Sequence, residues 1–399
     1  MKLSQRVQSI GESATLAVAA TAARLKAQGV DVISFGAGEP DFPTPQHIVR
    51  AGQKALDDGR TKYPKPASGI PALKDAVCAK LKRENRLDYR PEQIVITVGG
   101  KMACQLSLLA ILDPGDEVII PVPYWVSYPD LVRLAGAVPV FVTGEQSNGF
   151  RVTPHQLREA VTPRTRAFIF NSPSNPTGHI YAPDEVHAMA RVFAGSDITV
   201  LSDEIYDRLV FDGEALSFAA VDADAYRRTI TVNSASKTYA MTGWRLGFVA
   251  GPMDVVQAIA NLQTQGTSGA PEFCQVAYAA ALTGDQRCAI EMRDEFARRG
   301  RYMCDRLNAM PGVRSNRPQG AFYVFPNVSE TYRRLGVRSS VEFAERLLTD
   351  AAVAVVPGSP FGMDTHVRLS FATSMEQIEA GMSRLDRFLR QLAPQLERN

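Results

Sequence analysis

One lysine of the 399-residue chain stands in surroundings that suit covalent chemistry. Lys237 follows a β-type run and lies among small and hydroxyl side chains in the stretch TVNSASKTYAMTGWRLGF, and Arg245 adds a second cation eight residues later. A surface lysine requires no such setting. A lysine that bonds to a flat, phosphorylated molecule requires space and a cation nearby, because cations lower a lysine pKa and an arginine fork matches phosphate geometry. Lys237 is therefore the first candidate catalytic residue.

Three other strand-like runs also end on polar residues or glycines. Asp203 ends ITVLSD, Asn171 ends AFIFN before a turn that contains Asn175, and Gly99 and Gly100 follow VITV at the start of a helix. Open α/β sheets bind ligands at the carboxyl ends of their strands, and a helix N-terminus offers backbone N–H groups to an anion. Each feature could instead have a purely structural role, because Asn-Pro and Gly-Gly are common in turns and aspartate is common at a helix N-cap.

The elements that must position these residues alternate between helical and strand patterns. The first part of the chain predicts helices at 14–29, 46–58 and 71–86 and strands at 31–35, 93–98, 117–122, 138–143, 167–170, 198–203, 229–234 and 245–251. The second part predicts helices at 252–265, 272–283, 285–308 and 375–392 and strands at 320–326, 353–358 and 366–371. Short runs that are apolar on both faces predict an α/β domain with a mostly parallel sheet between helices, joined to a smaller α+β domain.

A chain of this length predicts more than one packed unit. We expect residues 1–45 to form an N-terminal arm and part of the small domain. Residues 46–283 then form the large ligand-binding domain, and residues 284–399 complete the small domain.

Composition narrows the possible partners and compartments. The formal net charge of +2 favours neither nucleic acid nor an anionic membrane surface. The five cysteines are scattered without a CxxC pair, the five histidines show no metal-ligand spacing, and no apolar run reaches the roughly 18 to 20 residues of a membrane span. The N-terminus lacks the apolar core of a signal peptide. We expect a cytoplasmic protein without a metal site.

Four motifs, in this order and spacing, carry a family resemblance that runs from about residue 30 to 372. They are NSPSNPTG (171–178), SDEIY (202–206), SASKTYAMTGWRLG (234–247) and HVRLSF (366–371). Together they resemble the class I aminotransferases, which depend on pyridoxal 5′-phosphate (PLP). GGK (99–101) and PYWVSYPD (123–130) point further, to the bacterial aspartate aminotransferase branch. The resemblance implies the PLP-dependent transferase type I fold and a homodimer with active sites at the subunit interface.

The resemblance assigns a cofactor role to each matching residue. Lys237 becomes the Schiff-base lysine and the proton shuttle, and Asp203 pairs with the pyridinium nitrogen. The remaining cofactor residues are Tyr206 and Asn175 at the ring oxygen, Trp125 stacked on the ring, Ser234, Arg245, Gly99, Gly100 and Lys101 at the phosphate, and Tyr63 reaching the phosphate of the neighbouring subunit.

The same resemblance implies how substrate binds. Arg368 would hold the α-carboxylate of the amino acid bidentately, with the backbone of Gly38 against the same group. Lys101 would meet the distal carboxylate of aspartate or glutamate, and Trp125 and Asn175 would also border the substrate. Because a cation is slightly unfavourable at a helix N-terminus, a functional reason for Lys101 is favoured.

The implied activity is transfer of the amino group from L-aspartate to 2-oxoglutarate. Two alternatives stay open: an aromatic or prephenate aminotransferase of the same fold, and a non-enzymatic PLP-fold regulator, which usually carries an added DNA-binding segment. Relatives that use prephenate would be expected to carry a lysine just before Ser-Ala-Thr. Here Gly11 and Glu12 precede Ser13, which puts prephenate activity in doubt.

Overall fold

The structure is a computed structural model that describes residues 1–8, 10–11 and 14–391. Its strands are β1 (Ile33–Ser34), β2 (Ile94–Thr97), β3 (Glu117–Val122), β4 (Val138–Thr143), β5 (Thr165–Asn171), β6 (Thr199–Asp203), β7 (Thr229–Ser234), β8 (Gly247–Ala250), β9 (Tyr323–Val324), β10 (Val353–Ala354), β11 (Val356–Pro357) and β12 (Val367–Ser370). Its helices are α1 (Gln5–Gln8), α2 (Ala14–Ala27), α3 (Gln46–Asp57), α4 (Pro71–Asn85), α5 (Gly99–Ile111), α6 (Tyr128–Leu134), α7 (Pro154–Ala160), α8 (Pro183–Phe193), α9 (Ala223–Arg228), α10 (Ala235–Thr238), α11 (Met253–Gly266), α12 (Glu272–Thr283), α13 (Arg287–Asn308), α14 (Tyr332–Leu335), α15 (Ser340–Ala351) and α16 (Met375–Gln391).

A seven-stranded sheet forms the centre of the larger part, in the order β2-β8-β7-β6-β5-β3-β4. Strand β8 runs antiparallel to both of its neighbours, and the other adjacent strands are parallel. Every residue of β2, β7 and β8 is buried, as expected for strands that helices cover on both faces. The predicted α/β class with a mostly parallel sheet is confirmed.

Parallel register brings the polar strand ends together. Asn171 at the end of β5 lies opposite Asp203 at the end of β6, and Ser234 ends the next strand, β7. Strand β2 runs parallel to β7 because both are antiparallel to β8, and α5 begins at Gly99 two residues after β2 ends. The carboxyl edge of the sheet therefore collects the residues that the sequence marked as candidates.

The smaller part is built from short strands and long helices. Strands β11, β12 and β9 form an antiparallel sheet, and β1 pairs with β10 in parallel. One apolar core joins β1, α13, α15 and α16, with Phe35, Phe296, Phe343 and Phe388 among its members. The pairing of β1 with β10 ties the N-terminal segment to the C-terminal part.

Predicted and observed elements differ mainly at irregular strands. The strands predicted at 117–122, 138–143 and 229–234 have the predicted bounds. The strand predicted at 320–326 is reduced to β9, since Ala321 has a positive φ of 58° that a β-ladder does not accept. The strand predicted at 353–358 is two short strands, each paired with a different partner.

Candidate active site

A cavity of 700 Å³ opens at the carboxyl edge of the central sheet. Eleven of the predicted site residues line it: Gly38, Gly100, Lys101, Trp125, Asn175, Asp203, Tyr206, Ser234, Lys237, Arg245 and Arg368. Gly99 lies beside the cavity against Arg245. Residues up to 330 positions apart in sequence thus share one site, from Gly38 to Arg368.

Lys237 lies on the short helix α10 directly after β7, with its amine inside the cavity wall. Its Nζ donates a hydrogen bond to the carbonyl oxygen of Gly38 and lies 5.6 Å from the centre of the Phe322 ring. Burial lowers the pKa of Lys237 to about 8; Arg368 and Arg245 also lower it, while Glu39 raises it. About a tenth of this amine is therefore unprotonated at pH 7, and that is the form a nucleophile or base requires.

Asp203 is buried at the end of β6, and no cation among the described residues pairs with it directly. Its Oδ2 accepts a hydrogen bond of 2.6 Å from the Tyr128 hydroxyl and a longer contact of 3.8 Å from the Cys104 thiol. Burial raises the pKa of the Asp203 carboxyl to about 6, against the lowering effect of these donors and of Lys237. The carboxylate is thus prepared for a cation that enters the cavity.

Two hydrogen-bonding side chains border the cavity beside Asp203. The Tyr206 hydroxyl lies 3.0 Å from the Tyr323 hydroxyl, and burial raises the pKa of Tyr206 well above its ordinary value. Asn175 is fixed from two sides, because its backbone N–H donates to Asn171 Oδ1 at 3.1 Å and its Oδ1 accepts from Arg368. The free Nδ2 group of Asn175 is available to donate to a ligand oxygen.

Gly99, Ser234 and Arg245 form a cradle for an anion at the start of α5. Gly99 has a φ of +82°, and a Cβ on it would lie 2.7 Å from Arg245 Nη2. Arg245 Nη1 donates to the Thr242 carbonyl oxygen at 2.9 Å, which fixes the guanidinium beside the helix N-terminus. Only glycine allows this approach, and the helix dipole and guanidinium both favour a negative group.

Lys101 and Trp125 line the wall next to this cradle. Lys101 Nζ lies 5.1 Å from the centre of the Trp125 ring, and the Tyr128 ring meets Trp125 edge-on at 5.2 Å. Partial desolvation and then Arg245 lower the pKa of Lys101. Lys101 and Arg245 are therefore two neighbouring cations of the cavity.

Arg368 is the largest buried charged side chain of the site, with 2% of its surface exposed. Its guanidinium donates to Asn175 Oδ1 and to the Gly36 carbonyl oxygen, both at 3.1 Å, and lies over the Tyr323 ring at 4.5 Å. Among the described residues no carboxylate forms an ion pair with it, and its Nε has no hydrogen-bond partner. A buried guanidinium without a counterion is a suitable receptor for a carboxylate.

Sequence reasoning left several contacts of this site unassigned. Glu39 accepts a hydrogen bond of 2.6 Å from Thr242, while Tyr128, Cys104 and Tyr323 contact predicted site residues from distant elements. Tyr128 lies in the motif PYWVSYPD (123–130), and this motif was the sequence feature that could have indicated a role for it at the site. Lys26 and three alanines of α2 also line the cavity: Ala19, Ala22 and Ala23.

The remaining predictions lie away from the cavity. Tyr63 is 75% exposed and does not line it, so its predicted role at a neighbouring subunit stays a prediction. Glu12 and Ser13 lie outside the described residues. In the part of the chain that the structure describes, no helix is long and apolar enough to cross a membrane, and no cluster of three or more acidic, histidine or cysteine side chains suits a metal ion.

The family model for aminotransferases of class I and II matches residues 30–385. The chain belongs to this aminotransferase family. The aminotransferase is 47% identical over 390 residues to an aspartate aminotransferase of Geobacillus stearothermophilus, covering 98% of this chain and 99% of the relative. It is 46% identical to an aspartate/prephenate aminotransferase of Thermus thermophilus, covering 97% and 98% of the two chains.

Solved structures confirm the fold of this aminotransferase. The aspartate aminotransferase of Thermus thermophilus with maleate superposes with a TM-score of 0.93 at 45% identity, covering 98% of this chain and all of that one. An aromatic aminotransferase of Pyrococcus horikoshii gives a TM-score of 0.86 at 41% identity, covering 93% of this chain and 100% of that one. The resemblance drawn from the four sequence motifs is confirmed, and the protein is an aminotransferase enzyme.

Proposed function

We propose that this aminotransferase uses PLP to transfer the amino group of L-aspartate to 2-oxoglutarate. The observation that carries the proposal is the charge pattern of one cavity, where Lys101, Arg245 and Arg368 surround Lys237. Cofactor phosphate and a dicarboxylate together bring three anionic groups, which these three other cations can receive. The names of the relatives from Geobacillus, Bacillus and Streptomyces support aspartate as the donor.

The residues present fit PLP at each of its polar groups. The cradle of Gly99, Ser234 and Arg245 suits the phosphate, because a Cβ on Gly99 would occupy the space beside the guanidinium. Asp203, buried without a direct cationic partner, suits a protonated ring nitrogen. Tyr206 and Asn175 suit the ring oxygen, and the Trp125 ring, supported edge-on by Tyr128, suits the flat face of the pyridine.

The chain's own residues would orient the amino acid. Arg368 would bind the α-carboxylate with its planar fork, while Asn175 and the backbone of Gly38 border the same group. Lys101 would attract the distal carboxylate, because its amine lies at the Trp125 face of the same cavity. A cation at each carboxylate would hold an aspartate in one orientation, which is how positioning lowers the barrier.

Lys237 would perform the proton transfer at the substrate Cα. When bound, PLP supplies an aldehyde that bonds to amines and a protonated ring that accepts the electrons released at Cα. The Lys237 amine, with a pKa lowered to about 8 by burial, removes the Cα proton and later returns a proton as a general acid. The Gly38 carbonyl oxygen, which accepts from Nζ, keeps the amine at the cavity wall.

We further propose a cytoplasmic homodimer in which Tyr63 reaches the phosphate site of the partner. The 75% exposure of Tyr63, large for an aromatic side chain, supports a surface that a second copy covers. Free thiols at all five cysteines support a reducing compartment. We propose domains at 1–45 with 284–399 and at 46–283, since one apolar core lies mostly in the first part and two others lie almost wholly in the second.

A second candidate substrate class is an aromatic or prephenate-type amino acid. Two relatives named aspartate/prephenate aminotransferase are 44% and 46% identical to this chain, and three alanines stand beside Lys26 among the α2 residues that line the cavity. The non-enzymatic regulator has no support from the relatives of Geobacillus and Thermus described above, which are named as enzymes.

Lys101→Ala separates the two substrate classes. For a dicarboxylate donor, loss of one charge-assisted contact of about 1.5–3 kcal/mol lowers kcat/KM for L-aspartate about 10- to 100-fold. The value for L-phenylalanine, which has no distal carboxylate, should change less than about threefold. Steady-state kinetics with both donors measure this. Unchanged aspartate kinetics would show that Lys101 does not receive the distal carboxylate.

The overall proposal is tested by assaying the purified protein with L-aspartate and 2-oxoglutarate, with and without added PLP. We expect PLP-dependent formation of oxaloacetate and L-glutamate in equal amounts. Lys237→Arg serves as the control, because it keeps a cation but removes an amine that can be unprotonated near neutral pH. Turnover by that variant at the wild-type rate would refute the role of Lys237.

A further inference from the structure

Two neutral donors converge on one oxygen of Asp203. The Tyr128 hydroxyl, on α6, donates to Oδ2 at 2.6 Å, and the Cys104 thiol, on α5, lies 3.8 Å from the same oxygen. Both side chains are almost fully buried, at 2% and 1% exposure. These contacts join positions 75 and 99 residues away from Asp203, and no motif in the sequence assigned them.

The other oxygen of Asp203 is left available. Oδ1 receives one long hydrogen bond of 3.4 Å from the backbone N–H of Ile205. A carboxylate oxygen can accept about two hydrogen bonds, so Oδ1 retains a lone pair for a donor in the cavity. With Oδ2 occupied by Tyr128 and Cys104, the carboxylate is fixed in the rotation that leaves Oδ1 for the ligand.

Tyr128 also supports a second wall of the same cavity. Its ring meets Trp125 edge-on, with centres 5.2 Å apart and an interplanar angle of 86°. One side chain therefore contacts both the carboxylate proposed for the ring nitrogen and the aromatic side chain proposed for the ring face. Tyr128→Phe would keep the contact with Trp125 and remove the hydroxyl alone, so the two contributions can be separated.

The electrostatics of the pocket keep both donors protonated. Burial and then the charge of Asp203 raise the pKa of Tyr128 and of Cys104 well above their ordinary values. The remaining titratable groups that act on Asp203 are Lys237 on α10 and Tyr206 after β6. Hydrogen bonds to the charged form favour ionisation, so Tyr128 and Cys104 oppose the neutralising effect of burial on Asp203.

We propose that Tyr128 and Cys104 are positioning residues that hold Asp203 ionised and turned toward the ring nitrogen of the cofactor. Tyr128 makes the larger contribution, since its hydroxyl is the stronger donor at the shorter distance, and Cys104 adds a weaker one. The inference rests on the proposed use of PLP. Each acts on the cofactor through its contact with Asp203.

The test measures binding of pyridoxamine 5′-phosphate to the apo-protein, because this ligand cannot bond covalently to Lys237. A second ligand has carbon in place of the ring nitrogen and therefore makes no pair with Asp203. Dissociation constants for both ligands are measured by calorimetry for the wild type, Tyr128→Phe, Cys104→Ala and the double variant. Tyr332→Phe and Cys304→Ala are matched controls in the small domain, where a tyrosine hydroxyl and a buried thiol contact backbone oxygens.

We expect Tyr128→Phe to weaken binding of pyridoxamine 5′-phosphate about tenfold, because loss of this donor raises the pKa of Asp203 and each pKa unit above the working pH costs the ionised form about tenfold. Cys104→Ala should weaken it about two- to threefold, because a thiol is a weak donor. Binding of the ligand without the ring nitrogen should change less than twofold in both variants. The two control variants should bind both ligands as the wild type does.

An equal loss of affinity for both ligands would overturn the proposal, since it would show a general packing effect of Tyr128. Wild-type affinity of Tyr128→Phe for pyridoxamine 5′-phosphate would overturn it as well. Failure of the wild-type protein to bind pyridoxamine 5′-phosphate would instead refute the proposed function on which the inference rests. Circular dichroism of each variant establishes that it is folded before binding is compared.

Discussion

Replacing Gly99 by alanine should weaken cofactor binding as well as destabilise the folded chain. Gly99 has a φ of +82°, and the new Cβ would lie 2.7 Å from Arg245 Nη2 and 3.1 Å from its Cζ. A carbon at 2.7 Å lies well inside van der Waals contact, so the guanidinium must move. Because the displaced group is the end of a flexible side chain, moving it costs the folded chain little.

The two consequences of this substitution differ in size. An alanine in the left-handed region destabilises the folded state by about 1–2 kcal/mol. Displacing the guanidinium removes charge-assisted hydrogen bonds to a phosphate, each worth about 1.5–3 kcal/mol. The dissociation constant for PLP should therefore rise about 10- to 100-fold.

Gly195→Ala is the matched control. Gly195 has a φ of +71°, and a Cβ there would meet nothing within 4 Å. Both variants carry the same backbone strain, but Gly195→Ala should leave PLP affinity unchanged. PLP titration of the apo-proteins by fluorescence and unfolding by urea measure the two effects separately. Equal PLP affinity of Gly99→Ala and Gly195→Ala would refute the assignment of the cradle to the phosphate.

Two further predictions concern pH. The first is the rate at which PLP bonds to the apo-protein, which visible absorption measures. Because burial lowers the pKa of Lys237 to about 8, this rate should rise about tenfold per pH unit below pH 8 and level off above it. A rate that stays constant from pH 6 to 9 would contradict this prediction. Burial also lowers the pKa of His179 to about 3, so the unfolded chain binds more protons than the folded chain between pH 3 and 6.5. The free energy of unfolding should therefore fall by about 2 kcal/mol from pH 7 to 5 through this histidine. Urea unfolding of the wild type and His179→Gln should show a smaller pH dependence in the variant, and equal dependence would refute the assignment.

Much of the fold was predictable because strand and helix patterns are local. Runs such as EVIIPV are apolar on both faces, and the strand at 117–122 follows directly from that pattern. The prediction of a strand over 320–326 was wrong in its length, because tertiary contacts determine the backbone conformation there. Gly320 packs against the Leu209 carbonyl oxygen and Pro173, and a Cβ there would lie 2.6 Å from that oxygen.

Site residues that lie in recognisable sequence motifs could be predicted. Contacts between elements that are distant in sequence could not. Lys237, Asp203 and Arg368 each lie in a recognisable stretch, and the structure brings them to one cavity. The contacts of Tyr128 and Cys104 with Asp203 arise only when α5 and α6 pack beside β6, so no local pattern specifies them. The catalytic residues could be predicted from the sequence, whereas the residues that position Asp203 could be identified only from the structure.

The most direct test of the central claim is the visible absorption spectrum of the purified, PLP-loaded protein before and after addition of L-aspartate alone. If Lys237 holds PLP and Lys101 and Arg368 receive a dicarboxylate, the yellow absorption should convert to that of pyridoxamine 5′-phosphate with release of one oxaloacetate per site. A spectrum that ignores L-aspartate but converts with L-phenylalanine would contradict the role of Lys101. A protein that PLP cannot colour would contradict the assignment of Lys237 itself.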